Sequence, residues 1–107
     1  MTRECINRVE LQGIIGSARR YTVGGQEGFQ FTLATNRAYK DKDGNPVIET
    51  QWTVCTGWEK EGIDMSLLKK GQAVHLTGRL RTQRYTTADG DERHTTEVLV
   101  HSMCQAE

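Results

Sequence analysis

The sequence predicts an all-β domain, a five-stranded Greek-key barrel with one short helix between its third and fourth strands. Three observations carry that prediction. Apolar and polar residues alternate with period two in five separate segments, Gly, Asp and Asn turn chemistry divides those segments, and a single stretch breaks into helical spacing. At 107 residues with 36% hydrophobic content, the chain fits one domain (1–107) with a small core. A narrow closed barrel suits so little apolar material.

In the first strand Val9, Leu11 and Ile15 alternate with Glu10 and Gln12 toward Gly16, and Gly13 suits a bulge or bend. "GFQFTLATNR" is the second, with Phe29, Phe31, Leu33 and Thr35 on one side and Gln30, Thr32 and Asn36 on the other. "KDKDGNP" then turns the chain into a third strand, from about Ile48 to Trp58, which makes a long hairpin with the second. In "EKEGIDMSLLKKG", Ile63, Leu67 and Leu68 fall at helical spacing, Lys69 and Lys70 occupy a last turn, Gly71 is a stop, and Gly62 weakens the start. Val74, Leu76, Gly78 and Leu80 alternate with His75, Thr77, Arg79 and Arg81 along a fourth strand reaching Tyr85. After the turn "TTADGDER", a fifth runs from about His94 to His101, with Val98 and Val100 facing away from Glu97, Leu99 and His101. Three strands, a helix and two strands is the order of an OB-fold barrel. SH3-like barrels have no helix of that length at that point.

Lys and Arg total 14, as do Asp and Glu, so whole-chain charge neither supports nor excludes a polyanionic partner. Cys5, Cys55 and Cys104 are odd in number and form no CxxC, which points to reduced thiols in the cytoplasm and no structural disulfide. "MTRECINRVELQG" has no apolar leader segment, and no run is long enough for a bilayer, so the expectation is an unexported protein with no membrane partner. No GxSxG, P-loop or paired-carboxylate pattern is present. His101 and Cys104 have ligand-like spacing, but two groups do not make a tetrahedral metal site. The expectation is therefore no catalytic residue, no metal and no cofactor.

"QWTVCTGW" holds both tryptophans, and an even spacing puts Trp52 and Trp58 on one face of a strand. Opposite them lie Thr53, Cys55 and Gly57, small enough for a crowded barrel interior, so the indoles point outward. Contiguous exposed apolar surface marks a binding site. Tyr21, Tyr39 and Tyr85 also stand in polar or cationic sequence, with Lys40 and Lys42 near Tyr39, and Arg84 beside Tyr85. Taken singly, a Trp is more often a core residue, and a Lys or Arg an ordinary solvated one. Together they suit a single-stranded nucleic acid, whose phosphates follow cations while bases stack on rings at ~1–3 kcal/mol each. A barrel that binds a protein through the same aromatic face is the alternative.

"NRVELQGIIG", "FTLATNRAYKDKDGN", "ETQWTV", "LLKKGQAVHLTGRLRTQRY" and "DGDERHTTEVLV" resemble, in order, the DNA-binding domain of bacterial single-stranded DNA-binding proteins, from about Asn7 to about Val100. The resemblance implies a homotetramer that wraps single-stranded DNA around its outside in replication, recombination and repair. It places stacking residues at Tyr39, Trp52, Trp58 and Tyr85, and phosphate contacts at Lys40, Lys42, Lys60, Lys70, Arg81 and Arg84. Arg3, Arg8 and Arg79 are neighbouring additions. Val54 stands where many members carry a basic residue, and Thr53 where the family often has a histidine near the subunit interface. Members usually continue through a Gly-rich linker to an acidic tip that recruits replication and repair proteins, whereas this sequence stops at "SMCQAE". That ending is also the pattern of a tailless primosomal or mobile-element relative, for which a dimer is expected.

Overall fold

The computed structural model describes residues 4–106, so Arg3 lies outside the described residues. Five strands follow one another: β1 (Val9–Val23), β2 (Gln26–Lys40), β3 (Pro46–Trp58), β4 (Ala73–Thr86) and β5 (Glu92–Gln105). They close into a barrel in the order β1-β2-β3-β5-β4. All neighbours are antiparallel except β3 and β5, which meet in a short parallel contact at Cys55 with Val98 and Thr56 with Leu99. Each strand is longer than its apolar alternation, because the hairpin ends continue past the core as polar arms.

The core is the inner face of these strands. Phe29, Phe31 and Leu33 of β2, Cys55 of β3, Val74 and Leu76 of β4, and Val98 and Val100 of β5 are buried. The ladder between β2 and β3 runs from Gly28 with Trp58 to Lys40 with Pro46 in one unbroken register. Period-two alternation therefore reads directly along both strands. β1 and β5 each carry one irregularity. The β1 bulge lies between Ile15 and Ser17, at Gly16 rather than at Gly13. It switches the inward position from Ile15 to Ala18, which packs on the core. β5 skips His101 in its register with β4, so its inner face runs from Val98 and Val100 to Met103.

The expected helix is a single 3-10 turn, Met65–Leu67. Tertiary pairing leaves no room for more. Ile63 forms a bridge with Met103, and the Asp64 N–H donates to the Met103 carbonyl at 3.2 Å, which holds the preceding chain extended. The Asp64 carboxylate caps the turn by accepting from the Ser66 N–H at 3.1 Å. At Leu68, φ −77° and ψ 74° leave helical geometry. The apolar spacing marks core contacts instead: Ile63 and Leu67 are buried, with Met65 and Leu68 packed beside them, and together they close one end of the barrel. Arg20 ties β1 to this plug through the Met65 carbonyl.

Cys55 sits within the core, and burial, with a smaller contribution from the Glu97 carboxylate, pushes its thiol up from 9.0 to about 12. It stays protonated and unreactive at neutral pH. Beside it, a Cβ on Gly57 would stand 2.5 Å from the Phe29 ring, which is itself fully buried. Gly57→Ala is therefore expected to destabilise the domain by about 1–3 kcal/mol through overpacking, read as a lower urea midpoint. An unchanged midpoint would show that the ring can move aside.

Candidate nucleic-acid interface

Pairing across β1, β2 and β3 arranges their outward side chains in rows. Trp52 lies across from Ala34; Ser17, Thr32 and Val54 share the next row, then Arg19, Gln30 and Thr56, then Tyr21, Gly28 and Trp58. Both indoles thus emerge on one face, ~20 Å apart by strand rise. Trp52 is 56% exposed, and its ring lies over the β1 bulge, where a Cβ on Gly16 would be 2.4 Å away. Trp58 is half-buried. Tyr21 meets it edge to face, with ring centroids 5.9 Å apart and planes at 80°. Gly28 makes that contact possible, since a Cβ there would stand 2.6 Å from Tyr21 and 3.1 Å from Trp58.

Between the indoles lies a depression of about 240 Å³, floored by Val54 and edged by Ser17, Arg19, Gln30 and Thr32. The Ser17 and Thr32 hydroxyls are 3.2 Å apart, and the Arg19 guanidinium donates to the Gln30 side-chain carbonyl. An aliphatic floor, a fixed guanidinium and an indole at each end can hold stacked rings and a neighbouring anion. Tyr21 and Arg19 were not among the expected contacts. "GSARRYTV" lacks apolar alternation; Tyr21 was marked only by its polar and cationic setting, and Arg19 only by its even spacing from Tyr21.

The other expected residues lie on arms of the barrel. Tyr39, 40% exposed, is on the Leu33 side of β2 by register, and so leaves its hairpin from the face opposite Trp52. The Arg37 guanidinium lies 5.6 Å from its ring centre. Lys40 ends β2, and Lys42 is in the turn, which the Asp41 carboxylate orders by accepting from the Asp43 and Asn45 N–H groups at 2.9 Å each. Tyr85, 52% exposed, and Arg84 lie on the β4–β5 arm, where Arg84 is 3.9 Å from Glu92. Lys70 is exposed in the loop after the 3-10 turn, and Lys60 lies 3.2 Å from His101 Nδ1. Arg81 differs from all of these. Its Nε and Nη2 donate to Glu97 Oε1 at 3.1 and 2.7 Å, and Nη2 also reaches Thr56 Oγ1 at 3.3 Å. Glu97 is only 4% exposed, so this ion pair closes the outer side of the β3–β5 contact. Among the described residues, no group of three or more His, Cys, Asp or Glu side chains is placed to hold a metal.

Residues 6–105 match the single-strand binding protein family. A single-stranded DNA-binding protein 1 of Chlorobaculum tepidum is 37% identical over 102 residues, which cover 92% of this chain and 63% of that relative. A single-stranded DNA-binding protein of Xylella fastidiosa is 37% identical over 101 residues, covering 92% of this chain and 62% of that relative. The chain spans less than two thirds of the length of either. A solved Plasmodium falciparum SSB complex with ssDNA superposes with a TM-score of 0.81 over 100% of both chains, at 23% identity, a likeness of fold.

Substitutions at Arg81 and at Gly28 separate the roles within this surface. Arg81→Gln strands a buried carboxylate and is expected to lower the urea midpoint far more than Arg84→Gln. The upper bound is ~3–5 kcal/mol for a fully buried pair, against ~0–1 kcal/mol for an exposed one. Equal midpoints would remove the structural role of Arg81. Gly28→Ala is expected to drive Tyr21 off Trp58, with loss of about 0.5–1.5 kcal/mol of ring contact and a shift in Trp58 emission, measured in a Trp52→Phe background. Unaltered emission would show that Tyr21 does not set the environment of Trp58.

Proposed function

The chain belongs to the single-strand binding protein family, and from that premise we propose that it binds and covers single-stranded DNA, without regard to sequence, in replication, recombination and repair. One observation carries the reading: Trp52 and Trp58 emerge on a single outer face, with a cation-edged depression between them. Bases stack on Trp52 and Trp58, and on Tyr39 and Tyr85 as the strand reaches the two arms. Lys40, Lys42, Lys60, Lys70 and Arg84 contact phosphates, while Arg81, held by Glu97, offers at most its remaining nitrogen. The action is binding alone, with no catalytic step and no cofactor.

A homotetramer in the cytoplasm, associated with the nucleoid, completes the proposal. β1 pairs with β4 from Val9 to Ile14, but its pairing with β2 begins only at Ile14. The other edge of Val9–Gly13 therefore has no partner strand among the described residues, and an open edge is a template for strand addition by a second copy. No helix among the described residues is long and apolar enough to cross a membrane. Replication and repair proteins are the expected further partners.

Oligo-dT titration tests the reading. Tryptophan emission is expected to be quenched on binding, and affinity to fall steeply with salt as counterions return to the phosphates. Trp52→Ala is expected to weaken binding to every homopolymer alike, by about 1–3 kcal/mol per base, with folding intact. Absence of oligonucleotide binding at low salt would overturn the function; unfolding of Trp52→Ala at unchanged affinity per folded molecule would return Trp52 to the core. Light scattering tests the assembly, with a tetramer expected and a dimer counting against it.

A further inference from the structure

His101 occupies the one irregular position of β5. Val100 and Met103 are both buried, so the two residues between them both turn outward. Ser102 keeps its register partner Thr77 and meets its hydroxyl at 2.6 Å, whereas His101 has no partner on β4. A bulge re-aims the side chain it carries. Here the ring is exposed, and its Nδ1 lies 3.2 Å from Lys60 Nζ.

The backbone holds these two residues together. The Met103 N–H donates to the Gly62 carbonyl at 2.9 Å, which fastens the loop after β3 to β5 two residues from His101. Within that loop the Ile63 N–H donates to the Lys60 carbonyl at 3.2 Å. An ammonium can only donate. Nδ1 must therefore accept, which places the ring proton on Nε2 and makes the imidazole neutral in this contact.

The other charged groups on this surface beside Trp58 are Arg8 and Glu10 from the β1 end and Arg79 from β4. His75 of β4 already engages Glu10 at 2.8 Å. Glu59 and Glu61 flank Lys60 and are exposed, and neither forms an ion pair among the described residues. Histidine is the side chain that changes charge between pH 5 and 8. A proton taken from solvent at Nδ1 would end the contact, free Lys60 and leave two cations where there was one; an adjacent phosphate favours that state.

We propose that His101 is a positioning residue for Lys60, and that its protonation turns a held lysine into a pair of phosphate-binding cations. DNA affinity then rises as pH falls through the histidine range, with uptake of one proton. The proposal rests on the phosphate contact assigned to Lys60 above, and the two can fail separately.

The test is titration with oligo-dT of about 16 nucleotides, over a salt series, at pH 8 and at pH 5.5. Wild type is expected to bind about two- to fivefold tighter at the lower pH, the ratio for one exposed ion pair, with the slope of log affinity against log salt steeper by about 0.7. His101→Asn keeps an acceptor near the Nδ1 position and cannot titrate, so it should match wild type at pH 8 and lose the pH dependence. His101→Leu removes the acceptor and should weaken binding at pH 8 by about two- to fivefold, but should change nothing further in a Lys60→Gln background. The chain has three histidines, of which His94 stands away on the β4–β5 arm, 3.9 Å from Glu92. His75→Gln is expected to keep the pH dependence. His101 is exposed, so urea midpoints should not move. Equal affinity and slope of wild type at both pH values, a pH dependence that survives in His101→Asn or vanishes in His75→Gln, or wild-type affinity of His101→Leu at pH 8 would each overturn the proposal and leave the function standing. Failure of wild type to bind at either pH in low salt would instead overturn the function beneath it.

Discussion

The binding face depends on how little room remains inside the β2–β3 ladder. Phe29, Phe31 and Leu33 fill the inner side of β2, and the Phe29 ring occupies the space against which any Cβ at Gly57 would press. Only small side chains fit opposite, and β3 supplies Cys55 and Gly57 there. The pleat then leaves Trp52 and Trp58 no inward option. A register slip of one residue would drive both indoles into a filled core and expose the residues that belong there. The direction of the indoles follows from packing on the other side of the same strand.

This explains what was legible in the sequence. β2 and β3 pair without a bulge, so parity counted from Phe29 or Cys55 holds to the end of each strand. β1 and β5 lose parity at one residue each, Gly16 and His101, and a single inserted residue leaves no mark in composition. Beyond Gly16 the chain reads "SARRYTV", with no apolar alternation, although Ala18 packs on the core and Arg20 reaches the plug. The plug misled in the opposite sense. Ile63, Leu67 and Leu68 have helical spacing because three apolar contacts are needed to close the barrel end, and the bridge of Ile63 to Met103 decides the backbone.

Arginines show the same limit in electrostatic terms. Arg79 and Arg81 are alternate residues on one face of β4, and nothing along β4 distinguishes them. The partner strand does. Arg79 lies across from Leu99, which asks nothing of its charge, whereas Arg81 lies across from Glu97, a carboxylate removed from water. A buried charge costs several kcal/mol unless it is paired, so Glu97 claims the Arg81 guanidinium. The family resemblance treats Arg81 as a phosphate contact, and the ladder gives it a competing obligation. Zero net charge says nothing of where charges stand: Arg79 is left exposed, while Arg81 is spent on Glu97.

Val54 illustrates the same point between the indoles. On one strand it reads as a missing cation, since many members of the resembling family are basic there. On a three-stranded face it is a floor: Val54, Thr32 and Ser17 form one row, and the guanidinium arrives one row along from Arg19, steadied by Gln30. Beyond Trp58, a groove of about 750 Å³ on the outer side of β4 and β5 has a similar lining, with Leu99, Arg79 from the neighbouring strand and the indole at its boundary. Trp58 lines the β4–β5 groove and meets Tyr21 on its β1 side, so depressions of similar design lie on either side of its ring. That arrangement is a property of pairing, because each depression takes its floor and its guanidinium from different strands and no single stretch of sequence contains both.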